Sequence, residues 1–280
     1  MAVKIVVDST SDIDAGRATK YDITVVPLTV SFGDKDYQDG VDLDSKTFYE
    51  KLVSSPVIPK TSTPSVGLFE SAYRAAIKAG ATGILSIHVS GALSGTLNTA
   101  SIAANTVQTE TGVPIKTFDS RTVSAGFGLP AMHAAERAAK GESLDDLVAY
   151  AQRALQDSKT YFVLDTLEYL EKGGRIGRAK AVFGAMLKIK PILCIKDGEV
   201  AALENARTRS KALTRVAELV RAAGNINCMA LAASDDATDA EMTEVVKQAY
   251  QGDIEHFKLG AVIGTYAGPR AAGLFVSPNC

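Results

Sequence analysis

Ser90-Gly91-Ala92-Leu93-Ser94-Gly95-Thr96-Leu97 sets three hydroxyls and two glycines between the apolar run Ile84-Leu85-Ser86-Ile87-His88-Val89 and a long helical segment, Leu97 to Val107. Strand, polar turn and helix in that order form an oxyanion site, because the first N–H groups of a helix lack internal partners and the helix dipole adds partial positive charge there. Ser94 and Thr96 add hydroxyl donors to the same pocket. Ser94 also fits the role of a plain N-cap, and the stretch alone does not decide between the two.

A second hydroxyl-rich stretch lies upstream. Ser54 to Ser65 is punctuated by three prolines, so it is a structured loop and not a helix. It ends in Thr61-Ser62-Thr63-Pro64-Ser65, with Ser65 as the N-cap of a helix whose apolar face is Phe69, Ala72, Tyr73, Ala76 and Ile77. If the two turns meet, they make a cup of O–H and N–H donors with no charged side chain after Lys60. Such a cup suits a carboxylate or a phosphate.

The elements that must position these turns alternate. Lys4 to Val7 reads as a strand running into Asp8-Ser9-Thr10-Ser11-Asp12, where Ser11 or Asp12 caps the next helix. Ile23 to Val30 reads as a second strand, with Pro27 placing it at an edge or a bulge. A short strand follows around Tyr37. The three acids between Asp39 and Asp44 lack the order of a calcium loop and read as a solvated loop ending in a helix cap, before a helix over Lys46 to Val53. Pro114 to Ser120 is a further strand, followed by helices over Arg121 to Lys140 and Leu144 to Asp157. Gly126-Phe127-Gly128-Leu129-Pro130-Ala131 matches G-x-G-x-x-A, but it follows no strand directly and contains proline, which rules against a dinucleotide fingerprint. This alternation predicts an α/β N-terminal domain, residues 1–158, built on a mainly parallel doubly wound sheet.

From Thr160 the pattern changes to a C-terminal α+β domain, residues 159–280. A strand at Thr160 to Asp165 precedes a helix stopped by Gly173-Gly174, then a helix with Ala179, Val182, Phe183, Met186 and Leu187 on one face. Lys172 through Lys196 holds seven basic residues and no acid, either a solvated face or a docking surface for an acidic or phosphate-carrying partner. Asp197-Gly198 between two apolar runs signals a hairpin. Next come Arg207 and Arg209, a helix marked by Leu213, Val216, Leu219 and Val220, a strand over Cys228 to Ala233, a helix over Ala240 to Tyr250, a strand over Ile254 to Phe257, and the segment Gly260 to Phe275.

At 280 residues and 46% hydrophobic composition the chain can bury a large core, and a net charge of −2 gives no reason to expect nucleic acid. Cys194, Cys228 and Cys280 read as reduced thiols, no run approaches the ~18 apolar residues of a membrane span, and no leader pattern is present, so a cytoplasmic protein is expected. The three histidines stand at no metal-ligand spacing, and no P-loop or G-x-S-x-G motif occurs, so neither metal nor cofactor is expected. An anion cup without a general base fits a binding protein better than a self-sufficient enzyme. The alternative is a stand-alone enzyme acting on a small phosphorylated or carboxylated metabolite, with Asp8 or Asp119 as base.

Asp8-Ser9-Thr10, Thr61 to Ser65, Leu93 to Thr96, Lys172 to Ile176 and Ile263-Gly264-Thr265-Tyr266-Ala267-Gly268-Pro269 together, in this order along the whole chain, resemble the DegV family. The resemblance implies two domains with one long-chain fatty acid buried between them, its carboxylate held by Thr61, by Ser94 within the turn that includes Gly95 and Thr96, and by Tyr266. It also implies that a separate ATP-binding fatty acid kinase subunit phosphorylates the carboxylate, giving acyl phosphate for phospholipid synthesis, and that Arg175 and Arg207 dock that kinase, with transient contact at a membrane surface. Two positions depart from the family pattern, Tyr266 where His is common and Arg270 where Gly is common. A Tyr hydroxyl donates to a carboxylate but does not replace imidazole as an acid or base near neutral pH. Burying about fifteen methylenes at ~0.8 kcal/mol each supplies roughly 12 kcal/mol before ordering costs.

Overall fold

The structure is a computed structural model that describes residues 2–184 and 189–279. Its first sheet holds four parallel strands in the order Ile23–Val26, Val3–Asp8, Gly83–His88, Ile115–Asp119. The order reverses between Val3–Asp8 and Gly83–His88, and the carboxyl ends of these two strands therefore flank the switch point at which open α/β sheets place ligands. The segment read as one strand from Ile23 to Val30 is two. Pro27 has no N–H to donate, so pairing stops at Val26 and resumes at Thr29–Phe32 in a separate antiparallel sheet, between Lys35–Gln38 and Lys60–Ser62. The hydroxyl-rich loop is thus partly a strand, with Thr61 opposite Val30.

The second large sheet has six strands in the order Glu199–Ala206, Lys190–Lys196, Lys159–Val163, Ala272–Ser277, Cys228–Ala233, Glu255–Lys258, antiparallel except for the last pair. Its side chains alternate with period two. Tyr161, Val163, Met229, Leu231, Leu274 and Val276 join Leu213, Val216 and Val220 of helix Arg209–Ala222 in one core cluster. Ala230, Ala232, Phe275 and Leu193 face the other way and join a cluster shared with Ile5, Val7, Leu85 and Ile87 of the parallel sheet. Helix Ala125–Ala139 lies between these layers, which is why it is rich in alanine and glycine and buried on most of its surface. The fold is therefore α/β, a parallel-sheet unit joined to a mixed-sheet unit through one core.

Several local expectations need correction. Asp14, not Ser11 or Asp12, caps helix Ala15–Lys20, because Asp8 caps a short 3-10 turn, Ser9–Ser11, that intervenes. Ser65 caps helix Val66–Lys78 as expected, whereas helix Thr96–Thr111 starts at Gly95 with no side-chain cap, so Ser94 is not an N-cap. Asp44 does cap its helix, but Asp39 is buried and not solvated. The helix predicted from Ala240 begins earlier, at Asp236, with Asp235 as its cap. Met186 and Leu187 lie outside the described residues, and the helix before them covers Lys180–Phe183. Cys194 is a free thiol, while Cys228 is disulfide-bonded, against its reading as reduced.

The hairpin at Asp197-Gly198 is formed, with both residues at positive φ, 55° and 82°. Gly198 is required twice over: a Cβ there would stand 2.5 Å from Ser90 Oγ, which donates a 2.7 Å hydrogen bond to the Gly198 carbonyl. The turn that carries Ser94 is thereby fastened to the second sheet.

Candidate functional site

Between the two units lies a cavity open to solvent at one side; the cavity and the space at its mouth together amount to about 1070 Å³ free of protein atoms. Its walls come from the carboxyl ends of the parallel strands (Thr10, Val89), the head of helix Ala125–Ala139, the inner face of the six-stranded sheet (Phe162, Ile195, Val200, Gly273, Phe275) and helix Ala261–Ala267. Most lining groups are hydrocarbon. In this part of the wall the hydroxyl oxygens of Thr10, Ser124 and Thr160 are engaged with other groups: Thr10 Oγ1 donates to Asp8, Ser124 Oγ to Asp12, and Thr160 Oγ1 bonds Thr122 Oγ1 at 3.0 Å. This wall suits an apolar ligand.

One part of the wall is different. Thr61, Ser62, Thr63, Ser94, Arg175 and Tyr266 all line the cavity, and a Cβ on Gly95 would lie 3.9 Å from Thr63 Cγ2, so the two hydroxyl-rich turns do meet. Thr61 Oγ1 and Tyr266 OH share a hydrogen bond of 2.5 Å, and Ser94 Oγ and Thr96 Oγ1 share one of 2.8 Å. In each pair one hydroxyl proton is used and one is left to donate outward. The Arg175 guanidinium stands 5.2 Å from the Tyr266 ring centre and donates to the Leu93 carbonyl at 3.2 Å and the Gly173 carbonyl at 2.8 Å. No carboxylate among the described residues pairs with it. Gly173 is what lets the ring in, since a Cβ there would meet Tyr266 Cδ1 at 2.5 Å. Two free hydroxyl protons and an uncompensated cation stand together at the rim of an apolar cavity, an arrangement whose chemistry suits an anion.

Not every residue singled out from sequence is in the wall. Thr96 is buried and acts on Ser94, Gly95 is exposed beside the turn, and neither lines the cavity. Arg207 is exposed and away from the lining, whereas Arg175 lines it, a placement that the charge run gave no means to see. Arg270 holds a left-handed φ of 55° and pairs with Asp165 at 3.5 Å, at a position where glycine carries no strain. Asp8 and Asp119 are both taken up in structure and absent from the wall; Asp119 Oδ1 accepts from the backbone N–H of Gly91 and of Arg121. That leaves the stand-alone enzyme reading without a base at the cavity. A Ser86–His88–Asp8 string has the connectivity of a hydrolytic triad, with Ser86 Oγ to His88 Nε2 at 2.7 Å and Nδ1 to Asp8 at 3.0 Å, but all three are fully buried. Among the described residues no cluster of metal-ligating side chains occurs, and no helix is long and apolar enough to cross a membrane.

Sequence reasoning also missed how the Tyr266 helix is held. Asp12 accepts from Gly260 N at 2.8 Å and Asp39 from Ala261 N at 2.9 Å, so two buried carboxylates grip the start of helix Ala261–Ala267. Burial pushes Asp12 well above the usual carboxylate range against the opposing Ser124 hydroxyl, and pushes Asp39 up to about 6 against the opposing Ser9 hydroxyl. Asp39 Oδ2 has no partner. A carboxyl whose folded pKa lies above its ordinary 3.8 favours the folded state most at low pH and loses that contribution as pH rises through about 6. Asp39→Asn keeps an acceptor for Ala261 N and removes the ionisation. It is expected to be more stable than the parent at pH 7.5 by about 1–2 kcal/mol, part of the gain being offset by the unpartnered amide N–H₂, and less stable than the parent near pH 4, where the charge penalty is gone and the cost of that amide remains. Urea midpoints at the two pH values test this; a variant less stable at both would show that the charge is not the liability.

Fold and site together define an α/β protein that encloses an apolar cavity with a polar, cationic rim. The chain belongs to the DegV family, whose model, described as an uncharacterised protein family, matches residues 2–279. It is 37% identical over 282 residues to a DegV domain-containing protein of Streptomyces coelicolor, covering 98% of each chain. Among solved structures it is similar to a fatty acid binding DegV family protein from Thermus thermophilus, with a TM-score of 0.89, 32% identity and 99% of each chain covered. A stearic acid-binding protein from Eubacterium ventriosum gives a TM-score of 0.90 at 26% identity, again over 99% of each chain.

Proposed function

We propose that the chain binds one long-chain fatty acid in the cavity between residues 1–158 and residues 159–280, and presents its carboxylate to a separate ATP-dependent kinase. The observation that carries the reading is the hydrocarbon wall ending in the Thr61, Ser94, Arg175 and Tyr266 cluster. A tail buried there leaves water for carbon, and the head group finds hydroxyl protons and a guanidinium in exchange for its hydration. The fatty acid binding of the two similar structures supports the same ligand class. In the kinase step a carboxylate oxygen attacks the γ-phosphorus of ATP, ADP leaves, and the acyl phosphate formed serves phospholipid synthesis in the cytoplasm. The chain itself supplies the ligand and no catalytic group. Arg175 serves both the head group and the approaching kinase, and Arg207 serves docking alone.

Reconstitution of the chain with a fatty acid, ATP and the ATP-binding subunit tests this. Arg207→Ala is expected to keep fatty acid affinity within about threefold and to lower acyl phosphate formation at least tenfold, whereas Arg175→Ala lowers both. Undiminished acyl phosphate formation with Arg207→Ala would remove it from the docking surface. Absence of product with the unaltered chain bound to lipid would remove the kinase step altogether.

A further inference from the structure

We infer that Asp8 is a positioning residue for the head-group site, acting through the two turns that line the cavity on either side of the switch point; the inference rests on the fatty acid reading above. Asp8 is fully buried and does not touch the cavity, yet its carboxylate takes four donors. Oδ1 accepts from Thr10 N at 3.1 Å and from the Thr10 hydroxyl; Oδ2 accepts from Val89 N at 3.1 Å and from His88 Nδ1 at 3.0 Å. One oxygen thus holds the turn after Val3–Asp8, and the other holds the turn after Gly83–His88, which continues through Ser90 to Ser94. Thr10, Val89 and Ser94 are all in the cavity wall. The spacing between the two turns is set by the width of one carboxylate.

The same network extends away from the cavity. His88 Nε2 meets Ser86 Oγ at 2.7 Å, and Ser86 Oγ meets Tyr73 OH at 2.9 Å. Tyr73 sits on helix Val66–Lys78, whose N-cap Ser65 is separated from the Thr61 to Thr63 stretch by Pro64 alone. Three elements that lead into the site are therefore joined by one buried, fully partnered chain of polar groups. Such a chain fixes relative position well, because any slip leaves a buried donor or acceptor unpaired. A Ser–His–Asp string far from any accessible surface is accounted for in this way without a hydrolytic role.

An amide at position 8 breaks the arrangement whichever way it faces. If its oxygen serves Thr10, its N–H₂ confronts the Val89 N–H, and in the reverse orientation it confronts the Thr10 N–H. One turn must move. The test compares dissociation constants for palmitic acid and for 1-hexadecanol, ligands of equal tail length that differ in the carboxylate. The unaltered chain is expected to prefer the acid at least tenfold. Asp8→Asn and His88→Leu are expected to lose most of that preference while still binding the alcohol, and His88→Asn, whose amide N–H₂ takes the place of Nδ1–H toward Asp8, is expected to retain it within about threefold. If Asp8→Asn does not fold, the His88 pair decides alone. Asp8→Asn or His88→Leu folded with the full preference, or weakened equally toward both ligands, would overturn the positioning role. Failure of the unaltered chain to prefer the acid would instead count against the fatty acid reading itself.

Discussion

Ser94→Ala weakens binding of a long-chain fatty acid by ~1.5–3 kcal/mol, about 10- to 150-fold, in a protein that stays folded with about 1 kcal/mol less stability. Ser94 is half-buried at the cavity wall, its hydroxyl bonded at 2.8 Å to Thr96 and accepting from Thr96 N at 3.3 Å. Because Thr96 can donate to Ser94, the Ser94 proton is left for a carboxylate oxygen, a charge-assisted bond that the methyl of alanine does not make. Alanine leaves the buried Thr96 hydroxyl without its partner, a cost to the fold of about 1 kcal/mol, while no core contact is removed. Titration of the variant with a fluorescent fatty acid reads the change, and affinity equal to that of the parent would show that the carboxylate sits elsewhere in the cavity.

Gly273→Leu shortens the tail that the cavity accepts. Gly273 pairs with Phe162 across neighbouring strands, both residues line the cavity, and a Cβ added at Gly273 would rest 3.6 Å from Phe162 Cβ, an ordinary contact. The backbone therefore tolerates a side chain, which then occupies ligand space. Displacing three or four methylenes at ~0.8 kcal/mol each costs a long chain about 2–3 kcal/mol, while a chain short enough to stop before the obstruction loses nothing. Stearate is expected to bind about 30- to 150-fold more weakly and laurate nearly as before. Equal losses for the two would place Gly273 beside the head group and not along the tail.

What could be read from the sequence was local. Strands ending in polar turns marked the carboxyl ends of the parallel sheet, though not its strand order, Asp197-Gly198 marked the hairpin, and the two hydroxyl-rich turns marked the segments that meet at the cavity, because each is a pattern of neighbours a few residues apart. Arg175 was read with a basic run, and its position over Tyr266 depends on Gly173 admitting the ring, a contact between segments some ninety residues apart in the chain. Asp39 looked like part of an acidic surface loop; its burial follows from docking against helix Ala261–Ala267, which no local signal announces. The Tyr73–Ser86–His88–Asp8 chain was invisible for the same reason, since its members come from a helix and two strands joined only by the parallel pairing. Residues of the tail wall could not be assigned because alternation gives two faces for each strand and does not say which one meets the other sheet.

The central claim, that a fatty acid fills the cavity, is tested most directly by purifying the chain under native conditions, denaturing it, and identifying the released small molecules by mass spectrometry. One long-chain fatty acid per chain is the predicted result, recovered from the producing cells or after incubation with palmitate and oleate. No fatty acid under either condition would contradict it, and the Thr61, Ser94, Arg175 and Tyr266 cluster would then be the rim of a site for some other anion.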